Sequence, residues 1–126
     1  MRTKLVAVAA GMLTFFGIAL TTAPNASAHD AIAEVYNCNQ TGSARCGYGG
    51  VTNNHTRVYS CDTYSDTVGF RTYYWLRNGA SGYVDDANGS SSGCSAVSPG
   101  TASNPVTSFQ GCSKKAVYVC SSRNTA

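Results

Sequence analysis

Between residues 68 and 77 the side chains alternate with a period of two. Val68, Phe70, Thr72, Tyr74 and Leu76 fall on one face, and Arg71, Tyr73, Trp75 and Arg77 on the other. Successive side chains of a strand point to opposite sides of a sheet, so this stretch predicts a β-strand with one apolar and one aromatic-basic face. Shorter runs rich in Val, Tyr and Phe predict further strands over 57–62, 81–85, 105–112 and 116–121. No window of about a dozen residues beyond the N-terminal segment carries apolar side chains at i, i+3, i+4 and i+7 without an intervening Gly or polar cluster, so no helix is predicted. Residues 62–67 are expected to join the first two strands as a hairpin. Asn78-Gly79, a strong hairpin signal, should join the next two. The Gly- and Ser-rich stretches 88–93 and 98–104 read as loops. This spacing predicts one small all-β domain, an antiparallel sandwich or barrel-like fold. Residues 29–37 are expected to form a flexible N-terminal arm, and Thr125-Ala126 a frayed end.

The hydrophobic pattern of the first 28 residues is of a different kind. Arg2 and Lys4 precede an uncharged apolar run over 5–20, and Ala26-Ser27-Ala28 supplies a small-x-small cleavage site. That order predicts a secretory signal peptide over 1–28 and a secreted chain beginning at His29. The apolar run is shorter than the roughly 20 residues of a membrane-spanning helix, so no membrane association is expected after cleavage. The whole sequence holds nine basic and six acidic residues. Arg2 and Lys4 leave with the leader, and an excess of one positive charge remains. No basic stripe is left to follow a phosphate backbone, which argues against a nucleic-acid partner.

All six cysteines, Cys38, Cys46, Cys61, Cys94, Cys112 and Cys120, lie beyond the leader. An even count in an exported chain of this size predicts three disulfides, because a small core gains from covalent staples. Six cysteines allow fifteen pairings. The expected set is Cys38–Cys46, Cys61–Cys94 and Cys112–Cys120, with a long-range Cys61–Cys120 bridge as the main rival. There is no Cys-x-x-Cys pair, and only His29 and His55 could assist, so a zinc site is not predicted.

Catalytic chemistry finds little footing. The turn Asp85-Asp86-Ala87-Asn88-Gly89-Ser90 lacks the ligand spacing and terminal glutamate of a calcium loop. Asp62 and Asp66 are the one candidate acid/base pair, and their spacing suits turn capping equally well. His29 lies at the expected new terminus and His55 among Asn53, Asn54 and Thr56 in a polar loop. Neither is set beside a nucleophile and an orienting group, and no nucleophile elbow or phosphate loop is present. The chain is therefore read as non-enzymatic, with no cofactor and no metal.

Aromatic usage is the positive signal. Eight tyrosines and one tryptophan sit in a chain of low charge. Tyr, Trp and Arg dominate the energetics of protein interfaces, so Arg71, Tyr73, Trp75 and Arg77 are predicted to form a binding face. Ile32 and Val35 of the arm are predicted as additional contacts. The partner would be one or more secreted proteins engaged through more than one surface. Carbohydrate stacking on Trp75 and the tyrosines is a second reading, and inhibition of a secreted hydrolase a third.

The strand Arg57-Val58-Tyr59-Ser60-Cys61-Asp62, the hairpin Tyr74-Trp75-Leu76-Arg77-Asn78-Gly79 and the turn Asp85-Asp86-Ala87-Asn88-Gly89 resemble those of small secreted disulfide-bonded β proteins of streptomycetes. In size and layout the chain is similar to the small adaptor subunits of the streptomycete umbrella toxin particles. That resemblance implies a subunit joining a lectin-bearing component to a toxin stalk, with residues 29–37 as the contacting arm.

Overall fold

The computed structural model describes residues 30–39 and 41–126. The leader over 1–28 and His29 lie outside the described residues. Among those described there is no helix. Nine strands form two antiparallel sheets: β1 (Ala31–Val35), β2 (Gly47–Thr52), β3 (Arg57–Asp62), β4 (Phe70–Leu76), β5 (Ser81–Asp85), β6 (Ser95–Val97), β7 (Val106–Ser113), β8 (Val119–Cys120) and β9 (Asn124–Thr125). One sheet has the order β1-β2-β3-β6. The other has β5-β4-β7-β8, with β9 also pairing β7.

The sheets pack face to face. Ala33, Val51 and Val58 from the first meet Val84, Val106 and Phe109 from the second in one buried cluster. Val35, Cys46 and Phe70 form a second. Burial on β4 follows the alternation of its sequence over the first half: Phe70 and Thr72 are fully enclosed and Arg71 and Tyr73 partly covered, while Tyr74, Trp75 and Leu76 are all partly covered. The two sheets approach closely at Gly49 of β2, where a Cβ atom would collide with Thr72 Oγ1 on β4.

The three bridges are Cys38–Cys46, Cys61–Cys94 and Cys112–Cys120, the set expected from the sequence. The first closes the β1–β2 connection, the second holds the segment before β6 against β3, and the third joins neighbouring strands β7 and β8. Three disulfides in a domain this small are typical of extracellular proteins.

Several expectations are corrected. Residues 31–35 are not a flexible arm: β1 pairs with β2 from Ala31↔Val51 to Val35↔Gly47, and its inward side chains Ala33 and Val35 are buried. Residues 62–67 do not close a hairpin. Both edges of β3 are taken, by β2 and β6, so the chain crosses to the other sheet to form β4. Thr67 (φ 62°) and Gly69 (φ 83°) take left-handed backbone in that crossing. The C-terminus is not frayed, since β9 pairs with β7 and the Ala126 N–H donates to the Thr107 carbonyl at 3.1 Å. The strand expected over 116–121 shrinks to Val119–Cys120, with Val117 81 % exposed before it.

The Asn78-Gly79 hairpin forms, but with three connecting residues. Leu76 N–H donates to the Ala80 carbonyl at 2.8 Å, and Gly79 alone takes a positive φ, 88°. A third turn residue in left-handed backbone shifts the pairing by one position relative to a two-residue Asn-Gly turn. That shift sets Tyr73 opposite Tyr83.

Candidate functional site

The outer face of the five-stranded sheet gathers the predicted residues with others that the sequence did not single out. Cross-strand partners share a face, so the registers Arg71↔Asp85, Tyr73↔Tyr83 and Trp75↔Ser81 place β4 and β5 side chains together. On the other side of β4, Tyr73 pairs with Gln110 and Trp75 with Ser108 of β7. The result is a continuous aromatic row. Tyr73 and Tyr83 meet edge to face at 6.0 Å, and Tyr73 lies 6.5 Å from Trp75.

Arginines lie over this row. The Arg71 guanidinium is 3.7 Å from the Tyr83 ring centre and 5.6 Å from that of Tyr73. Arg123, just before β9, lies 3.7 Å over Trp75 and donates from Nε to Ser108 Oγ at 2.9 Å. Arg71 is locked from both sides: Nε and Nη2 donate to the two Asp85 oxygens at 2.6 and 2.8 Å, and Nη1 donates to the Tyr73 hydroxyl at 3.3 Å. Lys114 Nζ donates to the same carboxylate at 3.2 Å. The Arg71 hydrogen bonds, aided by Lys114, hold the Asp85 carboxyl below the usual carboxylate range, and the Asp85 contact raises the Arg71 guanidinium further. Pinned in this way, the aromatic groups lose less side-chain freedom when a partner covers them.

The other sheet carries a smaller version on its own outer face. Tyr48 and Tyr59 meet edge to face at 6.2 Å, Arg45 lies 4.6 Å over Tyr48, and Arg57 lies 5.9 Å from the Tyr59 centre. Arg45 is paired with Glu34 at 2.6 Å. The glycine at 50 lets Tyr59 lie across the strand, because a Cβ there would stand 2.6 Å from its hydroxyl. Burial, reinforced by Tyr48, pushes the Tyr59 hydroxyl above its ordinary range.

The predicted residues are therefore divided. Arg71, Tyr73 and Trp75 come together on one face, with Arg77 exposed just beyond the end of β4. Ile32 is 58 % exposed on the opposite sheet, beside Gly50 in the register. Val35 is 3 % exposed and belongs to the core, so it is unavailable to a partner in this fold. Tyr83 and Arg123 were missed. Tyr83 follows from strand alternation only once the hairpin register is known, and Arg123 precedes a strand too short to carry a pattern.

The carboxylates weighed for catalysis or calcium have structural work. Asp62 Oδ1 accepts from the Tyr64 N–H at 3.2 Å and Asp66 Oδ1 from the Val68 N–H at 3.0 Å, each capping its own turn. Asp86 accepts from the Asp62 N–H at 2.7 Å and from Ser95 Oγ at 3.5 Å. Burial, with Asp66 and Asp86 nearby, raises the Asp62 carboxyl above its usual range. A cleft of about 310 Å³ adjoins it, lined by Asp62, Tyr64, Thr67, Val68, Asn88 and Gly89 among others. His55 sits in the β2–β3 turn, where three consecutive residues take left-handed backbone, and its carbonyl accepts from the Val106 N–H at 2.8 Å. No protein-family model, no curated protein and no solved structure matches the chain.

Proposed function

We propose that this protein is a secreted, non-catalytic protein-binding module whose principal docking surface is the outer face of the β5-β4-β7 sheet. The observation that carries this reading is the row Tyr83, Tyr73 and Trp75, pinned by Arg71 and Arg123 on an otherwise open sheet face. Tyr, Trp and Arg are the side chains that most often supply interface hot spots. The Tyr48–Tyr59 pair with Arg45, Arg57 and exposed Ile32 offers a second surface on the opposite side of the sandwich. Two opposed surfaces suit an adaptor that bridges two components of a secreted assembly. The resemblance to the adaptor subunits of streptomycete toxin particles supports the same role, although the arm that it implies over residues 29–37 is largely strand β1 here.

The test is capture from the culture fluid of the producing strain by immobilised wild-type protein, Tyr83→Ala and Tyr59→Ala. The wild type should retain partner proteins. Tyr83→Ala should lose one of them by at least about tenfold, ~1.4 kcal/mol, and Tyr59→Ala should lose another. Identical retention by all three would remove the two-surface reading.

A further inference from the structure

We infer that the principal face takes an acidic segment of its protein partner, and that Arg123 is the residue that meets the partner's carboxylate. The inference rests on the docking face proposed above and adds the chemistry of its ligand. Each cation of the face has a different degree of commitment. Arg71 spends all three nitrogens on Asp85 and the Tyr73 hydroxyl, and Lys114 shares that carboxylate. Arg123 is stacked over Trp75 with only Nε engaged, on the neutral Ser108 hydroxyl. Its two terminal nitrogens have no acceptor among the described residues, and the residue is exposed. Exposed Arg77, in the turn that follows β4, is a nearby cation with no ion pair among the described residues.

Asp85 is the one carboxylate on this face among the described residues, and two cations already share it. The remaining described carboxylates lie elsewhere: Glu34 with Arg45 and Asp30 near Tyr59 on the other sheet, and Asp62, Asp66 and Asp86 at strand ends and connections. The face thus carries uncompensated positive charge, and a complementary partner brings negative charge. A planar guanidinium held over an indole is pre-organised for a carboxylate, which matches its paired N–H groups.

Two other occupants fit less well. A sugar ring stacks on bare aromatic faces, whereas here guanidinium groups lie 3.7 Å from both the Tyr83 and the Trp75 ring centres. A sulfated polysaccharide or other polyanion needs a long basic track, and on this face Arg123 is the one cation without a carboxylate partner among the described residues.

The probe is a synthetic hexaglutamate peptide, with hexalysine and a heparin oligosaccharide of equal charge as comparators. Trp75 is the single tryptophan of the chain, so its emission reports on the site, and isothermal titration measures affinity. Hexaglutamate should bind saturably and shift the Trp75 emission. It should release at an ionic strength of about 0.5 M, where the screening length is about 4 Å. Arg123→Gln should weaken binding by about fivefold or more without moving the unfolding midpoint, and hexalysine should not bind. Absence of hexaglutamate binding by titration, equal affinity in Arg123→Gln, or tighter binding of heparin would each overturn the inference. Partner capture separates this from the broader reading. Normal capture by Arg123→Gln with loss in Tyr83→Ala keeps the docking face and removes the acidic ligand; normal capture by both removes both.

Discussion

Thr72 occupies the centre of β4 and is fully buried, yet its hydroxyl has no hydrogen-bond partner among the described residues. Ser60, also fully buried, shows the usual solution, donating to the Phe70 carbonyl at 3.2 Å across the sheets. Opposite Thr72 stands Gly49, whose missing side chain allows the sheets to close but offers nothing to accept the bond. A buried hydroxyl left unsatisfied costs about 1–3 kcal/mol, and replacing it with an apolar group of the same shape removes that penalty. Thr72→Val should therefore stabilise the domain by about 1 kcal/mol, raising the thermal midpoint by about 4–8 °C. A lowered midpoint in a calorimetric scan would show that the hydroxyl finds a partner in solution.

At the scale of elements, β4 was legible because its alternation of Phe, Thr and Tyr with Arg and Trp has no competing pattern. Strand β2, GYGGVT, was not. Three of its residues are glycines, which signal a turn locally but here serve close contact, with Thr72 at Gly49 and with the Tyr59 hydroxyl at Gly50. Strand β1 was hidden for the same reason, since its partner was not recognised as a strand. The disulfides were readable because two pairs close short loops. The choice of sheet was not, because nothing local records that both edges of β3 are taken. The site was legible only along one strand: Arg71, Tyr73 and Trp75 came from period two, while Tyr83 and Arg123 depended on long-range pairing. Strand β1 yields a test of its own. Val35→Ala should cost about 2 kcal/mol of stability, Ile32→Ala almost nothing, and deletion of residues 30–36 should leave no cooperative urea transition. A truncated chain that unfolds at the wild-type midpoint would show that β1 is dispensable to the core.

The whole molecule is a thin sandwich with two faces of unequal character and three covalent staples. Each staple in a domain of this kind contributes about 2–5 kcal/mol, comparable with the net stability of small domains, which frees both outer faces from carrying the fold. In this division of labour the inner residues of β4 hold the sheets together, and the outer ones form the proposed docking surface. The most direct measurement pairs thermal unfolding with partner capture in Trp75→Ala and Phe70→Ala. Phe70, fully buried, should cost about 3–5 kcal/mol on truncation. Trp75→Ala should move the unfolding midpoint by only a few degrees, corresponding to less than about 1 kcal/mol, while partner retention falls at least about tenfold. If Trp75→Ala instead unfolds as readily as Phe70→Ala, or keeps its fold and still captures the partner at full strength, the outer face is not the docking surface.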